Sequence, residues 1–264
     1  MSIMTKIINR ICVEFDNVNY HDSMEVTEDE VHLLIGKLST GKAAGPDRLT
    51  AEHIKYVKDV ISKPLSMLFS CIIVHGYVPQ PLMDSVITPI VKNKNLTVKD
   101  KSNYRPIALS SVVSKLLELL LQSRMVDYLY TTDNQFGFKE ALGTELCIYT
   151  LKECLSYYNR MGSNMFVCAM DASAAFDKLP FTTLFQKLLE RNVPVYIVRL
   201  LFYWYFRQKM CVRWNSTLSN KFRVTNGVRQ GGILSPQLFN IYMYDLSVCL
   251  NSKVIGCCIN NVRL

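Results

Sequence analysis

The sequence predicts an α+β fold, and three observations predict it. Apolar residues recur at helical spacing through most of the chain, and short β-like runs sit between those segments. Hydrophobic residues make up 49% of the 264, enough to bury one large core or two intertwined ones. No internal repeat or low-complexity stretch points instead to a solenoid or a disordered chain.

Residues 1–26 read as a connector. Thr27 and Glu30 then make a capping box, and Val31, Leu34, Ile35 and Leu38 share one helical face until Gly41. "GPD" at 45–47 breaks the pattern. A second helix is expected from Thr50, with Ile54, Val57 and Ile61 inward, and a third after Pro64, with Leu65, Leu68, Phe69 and Ile72, stopping at Gly76. "SVITPIVKN" reads as a strand, and Pro106 assigns "YRPIALSS" to an extended or edge position. Ser110 or Ser111 caps a Leu-rich helix running to Leu129, and another helix spans 144–160, ended by Gly162. "NMFVCAM" is β-like and leads into Asp171. Helices at 181–191 and 195–208 precede a hairpin of "MCVRWNS" and "KFRVTNG". The Gly-rich "NGVRQGGILSP" opens the helix "QLFNIYMYDLSVCL", and "VIGCCI" is a last strand before an Asn-Asn turn.

Charge and cysteine usage narrow the function. The 30 Lys+Arg exceed the 22 Asp+Glu by 8, which favours a polyanionic partner such as nucleic acid. Nine cysteines are scattered, with only Cys257 and Cys258 adjacent and no C-x-x-C pair, the pattern of a reduced, intracellular chain without a structural metal. The N-terminus lacks the apolar core and cleavage site of a secretory signal. The longest apolar run, "VYIVRLLFYWYF", contains Arg199 and falls short of the ~20 residues of a membrane span.

Four motifs could carry chemistry. "GKLSTGKA" at 36–43 approaches a phosphate loop, but Ala43 replaces the hydroxyl residue and a helix precedes it, so it reads as a helix C-cap. Asp171 ends a predicted strand, where an unpaired carboxylate would be costly without a compensating cation. Ala172, Ser173, Ala174 and Ala175 leave room beside it, and Phe176 can return as a wall; taken alone, the simpler reading is a helix cap. In "GVRQGGILSP", Gly231 and Gly232 permit close approach or positive φ, while Gln230 can hydrogen-bond a base or ribose. Among the basic residues Lys92, Lys94, Lys99, Lys101 and Arg105, the planar fork of Arg105 suits a triphosphate best.

In chain order, "GKAAGPDRLTAEHIKY", "ITPIVKNKN" with "NYRPIALSSVVSKLLE", "QFGF", "AMDASAAFD" and "GVRQGGILSPQLFNIYM" resemble successive blocks of reverse transcriptases from non-long-terminal-repeat (LINE-type) retrotransposons. The similarity covers nearly the whole chain from residue 27, and the ordered context is more specific than any single block. It implies a right-hand polymerase, with a helical N-terminal extension at 27–82 and fingers and palm at 83–264. It also implies Asp171 as the catalytic metal ligand, aided by the Ala172 carbonyl, in a site where two Mg²⁺ ions stabilise the attacking and leaving oxygens. Lys92 and Arg105 would hold the triphosphate and Phe176 would exclude a ribose 2′-hydroxyl. Gln230, Gly231 and Gly232 would shape the nucleotide surface, with Arg229 and Ser235 meeting nucleic acid. The partners implied are an RNA template, a DNA primer and deoxynucleoside triphosphates, with no membrane, and the nucleus enters as a compartment from the family alone.

The departures matter equally. The aspartate hairpin such enzymes carry after this point is not found before Leu264, "YMYD" at 242–245 is rejected as its stand-in, and no thumb follows. One carboxylate cannot fill two near-octahedral shells, so the expectation is a truncated domain with an incomplete palm sheet and little activity alone. Asp177 is read as structural. The competing readings are a catalytically dead remnant that binds RNA and, remotely, a phosphate-loop nucleoside triphosphatase.

Overall fold

A computed structural model describes residues 2–16, 24–253, 256–259 and 262–263. It is a mixed α+β structure, and its described residues form ten α-helices and a partial sheet. The first helix, α1 (Ile3–Asp16), occupies most of the stretch read as a connector. Its Ile7 and Ile11, one helical turn apart, are buried where the helix meets two others, α8 (Phe181–Glu190) and α9 (Val195–Arg207). That i, i+4 apolar pair is the reason the segment docks.

Helix α2 (Glu28–Lys37) begins as expected, with the Thr27 hydroxyl accepting from the Glu30 N–H at 3.1 Å. Only half of the capping box forms, because the Glu30 carboxylate turns outward to take two hydrogen bonds from Arg124, at 3.2 and 2.8 Å. The next boundary also shifts. Helix α3 (Ala51–Tyr56) ends at Val57, and α4 (Lys58–His75) continues straight through Pro64. Proline removes one helical hydrogen bond, but Leu65, Phe69, Ile72 and Ile73 are all buried on the same helix, and that burial outweighs the break.

After the short α5 (Gln80–Met83), strands β1 (Ser85–Val91) and β2 (Tyr104–Ser110) pair antiparallel, Ser85 opposite Ser110 and Val91 opposite Tyr104. Strand β2 is the sheet edge, as Pro106 requires. Pro89 sits directly opposite it and beyond the parallel contact of β1 with β3 (Lys209–Trp214), which covers only Ser85–Ile87. Neither proline is therefore asked for a ladder donor it lacks. Strands β4 (Thr217–Leu218) and β5 (Phe222–Arg223) both fold back on β3 as the predicted hairpin.

Helix α6 (Val112–Arg124) is capped by Ser111, whose hydroxyl accepts from Ser114 N–H at 3.0 Å. With α4, α8, α9 and α10 (Ser235–Ser252) it builds a core centred on Phe69, Leu116, Leu120, Phe185 and Trp204. Helix α7 (Thr144–Arg160) lies outside that core, with Cys154 its one buried residue. A short pair, β6 (Cys258–Ile259) with β7 (Val262–Arg263), closes the chain. Among the described residues no helix is long and apolar enough to cross a membrane.

One predicted strand does not form. Residues 163–172 are irregular and exposed, with Phe166 at 93% and Met170 at 79%. A strand needs a neighbour to satisfy its N–H and C=O groups, and no described strand runs beside this segment, so its backbone is left to water.

Candidate active site

The Gly-rich loop is held from three sides. On the first, the Ala108 N–H donates to the Gln230 carbonyl at 2.7 Å, adding the loop to the free edge of β2. Gly231 adopts φ +108°, and a Cβ there would lie 2.9 Å from the Ala108 carbonyl oxygen, so both reasons for glycine anticipated from the sequence operate. On the second side, the turn after Asp171 grips the start of the loop. Gly227 N–H donates to Leu179 O at 2.7 Å and Val228 N–H to Phe176 O at 2.8 Å. The Gln230 amide then donates to both Asp177 carboxylate oxygens, at 3.0 and 3.2 Å, so Asp177 ties turn to loop.

The third side was not foreseen. Glu118, on α6, is sealed from solvent and ion-paired with Arg229. Its other carboxylate oxygen accepts from the N–H groups of Ile233 and Leu234, the latter at 3.0 Å. The Arg229 guanidinium lies over the Trp204 ring, 4.8 Å from its centroid. Burial pushes the neighbouring Tyr205 phenol above its ordinary range. The signal was available: a carboxylate inside "VVSKLLELLLQ" must be buried with a cation.

This arrangement corrects two expectations. Arg229 is 5% exposed and Ser235 2% exposed, the first committed to Glu118 and the second packed at the start of α10, so neither is offered to nucleic acid. Both instead support the loop from beneath.

Lys92 follows β1 and Arg105 lies on β2, and both are exposed. Strand alternation puts them on one face of the ribbon, since Ile90 pairs with Arg105 and the Lys92 N–H still bonds Asn103 O at 2.7 Å. Ile107 shares that face, and its methyl is 3.6 Å from where a Gly231 Cβ would stand. The Lys92 ammonium donates to Ser102 O at 2.8 Å. Phe176 is half-buried between Phe239 and Phe138, ring centroids 4.9 and 5.6 Å away. On the opposite face of the ribbon, Ile87, Ala108, Met210, Asp177 and Gln230 line a cavity of about 170 Å³. That is below the ~300–1,000 Å³ of small-molecule sites.

Asp171 and Ala172 stand apart from this framework, exposed in the irregular segment that precedes the turn at 173–178. The strand expected to aim Asp171 is missing for the reason given above. Among the described residues no group of three or more His, Cys, Asp or Glu side chains gathers to hold a metal. At the phosphate-loop lookalike, the Gly41 N–H donates to the Glu52 carboxylate at 2.5 Å, so an anion of the protein already occupies the amide a phosphate would need.

A family model described as reverse transcriptase (RNA-dependent DNA polymerase) matches residues 91–261. The RNA-directed DNA polymerase from mobile element jockey of Drosophila funebris is 29% identical over 229 residues, 84% of this chain and 24% of the relative. The probable RNA-directed DNA polymerase from transposon X-element of Drosophila melanogaster is 26% identical over 223 residues, 82% of this chain and 24% of the relative. The Pol polyprotein from retrotransposable element R2 of Nasonia vitripennis is 25% identical over 201 residues, 76% of this chain and 19% of the relative. The chain thus spans a quarter or less of these curated relatives. The matched stretch runs from the last residue of β1 past α10, through every segment that builds the site, and the chain belongs to the reverse transcriptase family.

Proposed function

We propose that this chain carries the fingers and palm of an RNA-directed DNA polymerase that adds deoxynucleotides to a DNA primer on an RNA template. The observation that supports it most is the Gly-rich loop docked at Gln230 and Gly231 on the edge of β2, next to the face bearing Lys92 and Arg105. In this reading the Arg105 fork and the Lys92 ammonium grip the triphosphate. Gly231 carries the loop against β2, Gln230 is fixed by its amide bonds to Asp177 and holds the loop beside that face, and the Phe176 ring bars a ribose 2′-hydroxyl.

The donor set does not fit a magnesium pair. Asp171 brings one carboxylate and Ala172 one carbonyl, whereas two such ions want near-octahedral oxygen shells, and we derive no step through them. The family generally uses divalent metal ions. The exposed position of Asp171 favours a second reading, in which the chain binds nucleotide or RNA through its basic face without polymerising.

Two measurements on the full chain test these readings. Titration with a fluorescent dTTP analogue should show binding that weakens in Arg105→Ala, and an unaffected or absent affinity overturns the nucleotide site. Primer extension on an RNA template then separates the two: synthesis abolished by Asp171→Ala supports the polymerase, and binding without synthesis supports the second reading.

A further inference from the structure

We propose that Glu118 is a positioning residue for the nucleotide loop, fixing the backbone from Arg229 to Leu234 from beneath; this rests on the nucleotide-binding reading of that loop. One oxygen of its carboxylate pairs with Arg229, at the start of the loop, and the other takes the N–H groups of Ile233 and Leu234, at its end. Between these anchors the chain reverses, with Gly232 N–H donating to Arg229 O at 3.1 Å, and raises Gln230 and Gly231 toward β2. The stretch 104–124 thus holds the loop twice, by Ala108 on the strand and Glu118 on the helix that follows.

Stability alone does not account for this device. A buried ion pair can often be replaced by apolar side chains without loss, because desolvation offsets the attraction. Here the balance is poorer still, since the Arg229 Nε and Nη1 groups are buried without hydrogen-bond partners among the described residues. What the pair does provide is direction. A carboxylate with two fixed oxygens specifies where three loop donors must lie, whereas an apolar contact specifies only that they be covered.

The test is a double variant, Glu118→Met with Arg229→Met, which keeps volume and removes both charges. It is expected to fold with a cooperative but lowered melting transition, because the Ile233 and Leu234 N–H groups lose their acceptor while no charge is left unpaired. The Ile233 and Leu234 amides should exchange with solvent about tenfold faster or more, and the fluorescent dTTP analogue should bind about tenfold more weakly, the scale of one lost hydrogen bond to a charged group. Glu118→Gln with Arg229→Met, which keeps an acceptor oxygen for the two amides and leaves no unpaired guanidinium, should recover most of the amide protection, and it serves as the probe if the double methionine variant fails to fold. Native exchange rates at 233 and 234, or faster exchange with undiminished affinity, would overturn the proposal. If the native chain binds no dTTP, the nucleotide reading falls, while the exchange rates still decide whether Glu118 sets the loop.

Discussion

Gly231 and Ala108 meet backbone to backbone: a Cβ on the glycine would stand 2.9 Å from the alanine carbonyl oxygen. Ala108 cannot retreat, because it lies in the ladder opposite Ile87 and its N–H holds Gln230. The glycine also needs φ +108°, which L side chains rarely adopt. Gly231→Ala is therefore expected to cost about 1–3 kcal/mol in urea unfolding and to weaken dTTP binding. A variant that unfolds and binds like the native chain would show that the loop is not docked on β2.

Phe176 makes a second, more specific prediction. Its ring is held by Phe239 and Phe138 and cannot swing aside freely. If it bars the 2′-hydroxyl, Phe176→Ala should raise the affinity for a ribonucleoside triphosphate relative to the deoxy form by about tenfold or more, the scale on which pockets distinguish small groups. An equal change for both nucleotides would make the ring a packing element only.

Glu52 predicts a pH dependence. The N–H of Gly41, followed by its own N–H and the Thr50 hydroxyl, holds its carboxyl at about 2 against an ordinary 4.5. A depressed pKa in the folded state stabilises the protein above 4.5, and that contribution is lost as pH falls from 4.5 toward 2. Glu52→Gln should therefore flatten the acid limb of the urea midpoint curve in this window, and identical limbs would remove Glu52 from the acid response.

Legibility tracked how local the determining interactions were. Helices α8 and α9 and the Ser111 and Thr27 caps follow from residues within one or two turns, and they stand where periodicity put them. The Glu30 carboxylate leaves its capping box for Arg124, a partner 94 residues away that local pattern does not reveal. The rule that a buried carboxylate needs a cation holds at Glu118, whose cation lies 111 residues along the chain, while Asp171 is exposed. Likewise the Pro64 break lost to burial contributed by other helices, and the β-like run before Asp171 depended on neighbours that local pattern cannot supply.

That run yields the last prediction. Cys168 sits within it, exposed, between Val167 at 53% and Met170 at 79% exposure. Cys154, on α7, is buried, and desolvation pushes its thiol up, which removes thiolate and slows reaction with electrophiles. Brief treatment with a maleimide followed by peptide mapping should find Cys168 labelled before Cys154 reacts. The amides of 164–172 should exchange as fast as those of an unstructured peptide, since no ladder among the described residues protects them. If Cys168 and these amides are instead protected, the segment is paired as a strand in solution, and Asp171 is aimed from a sheet after all.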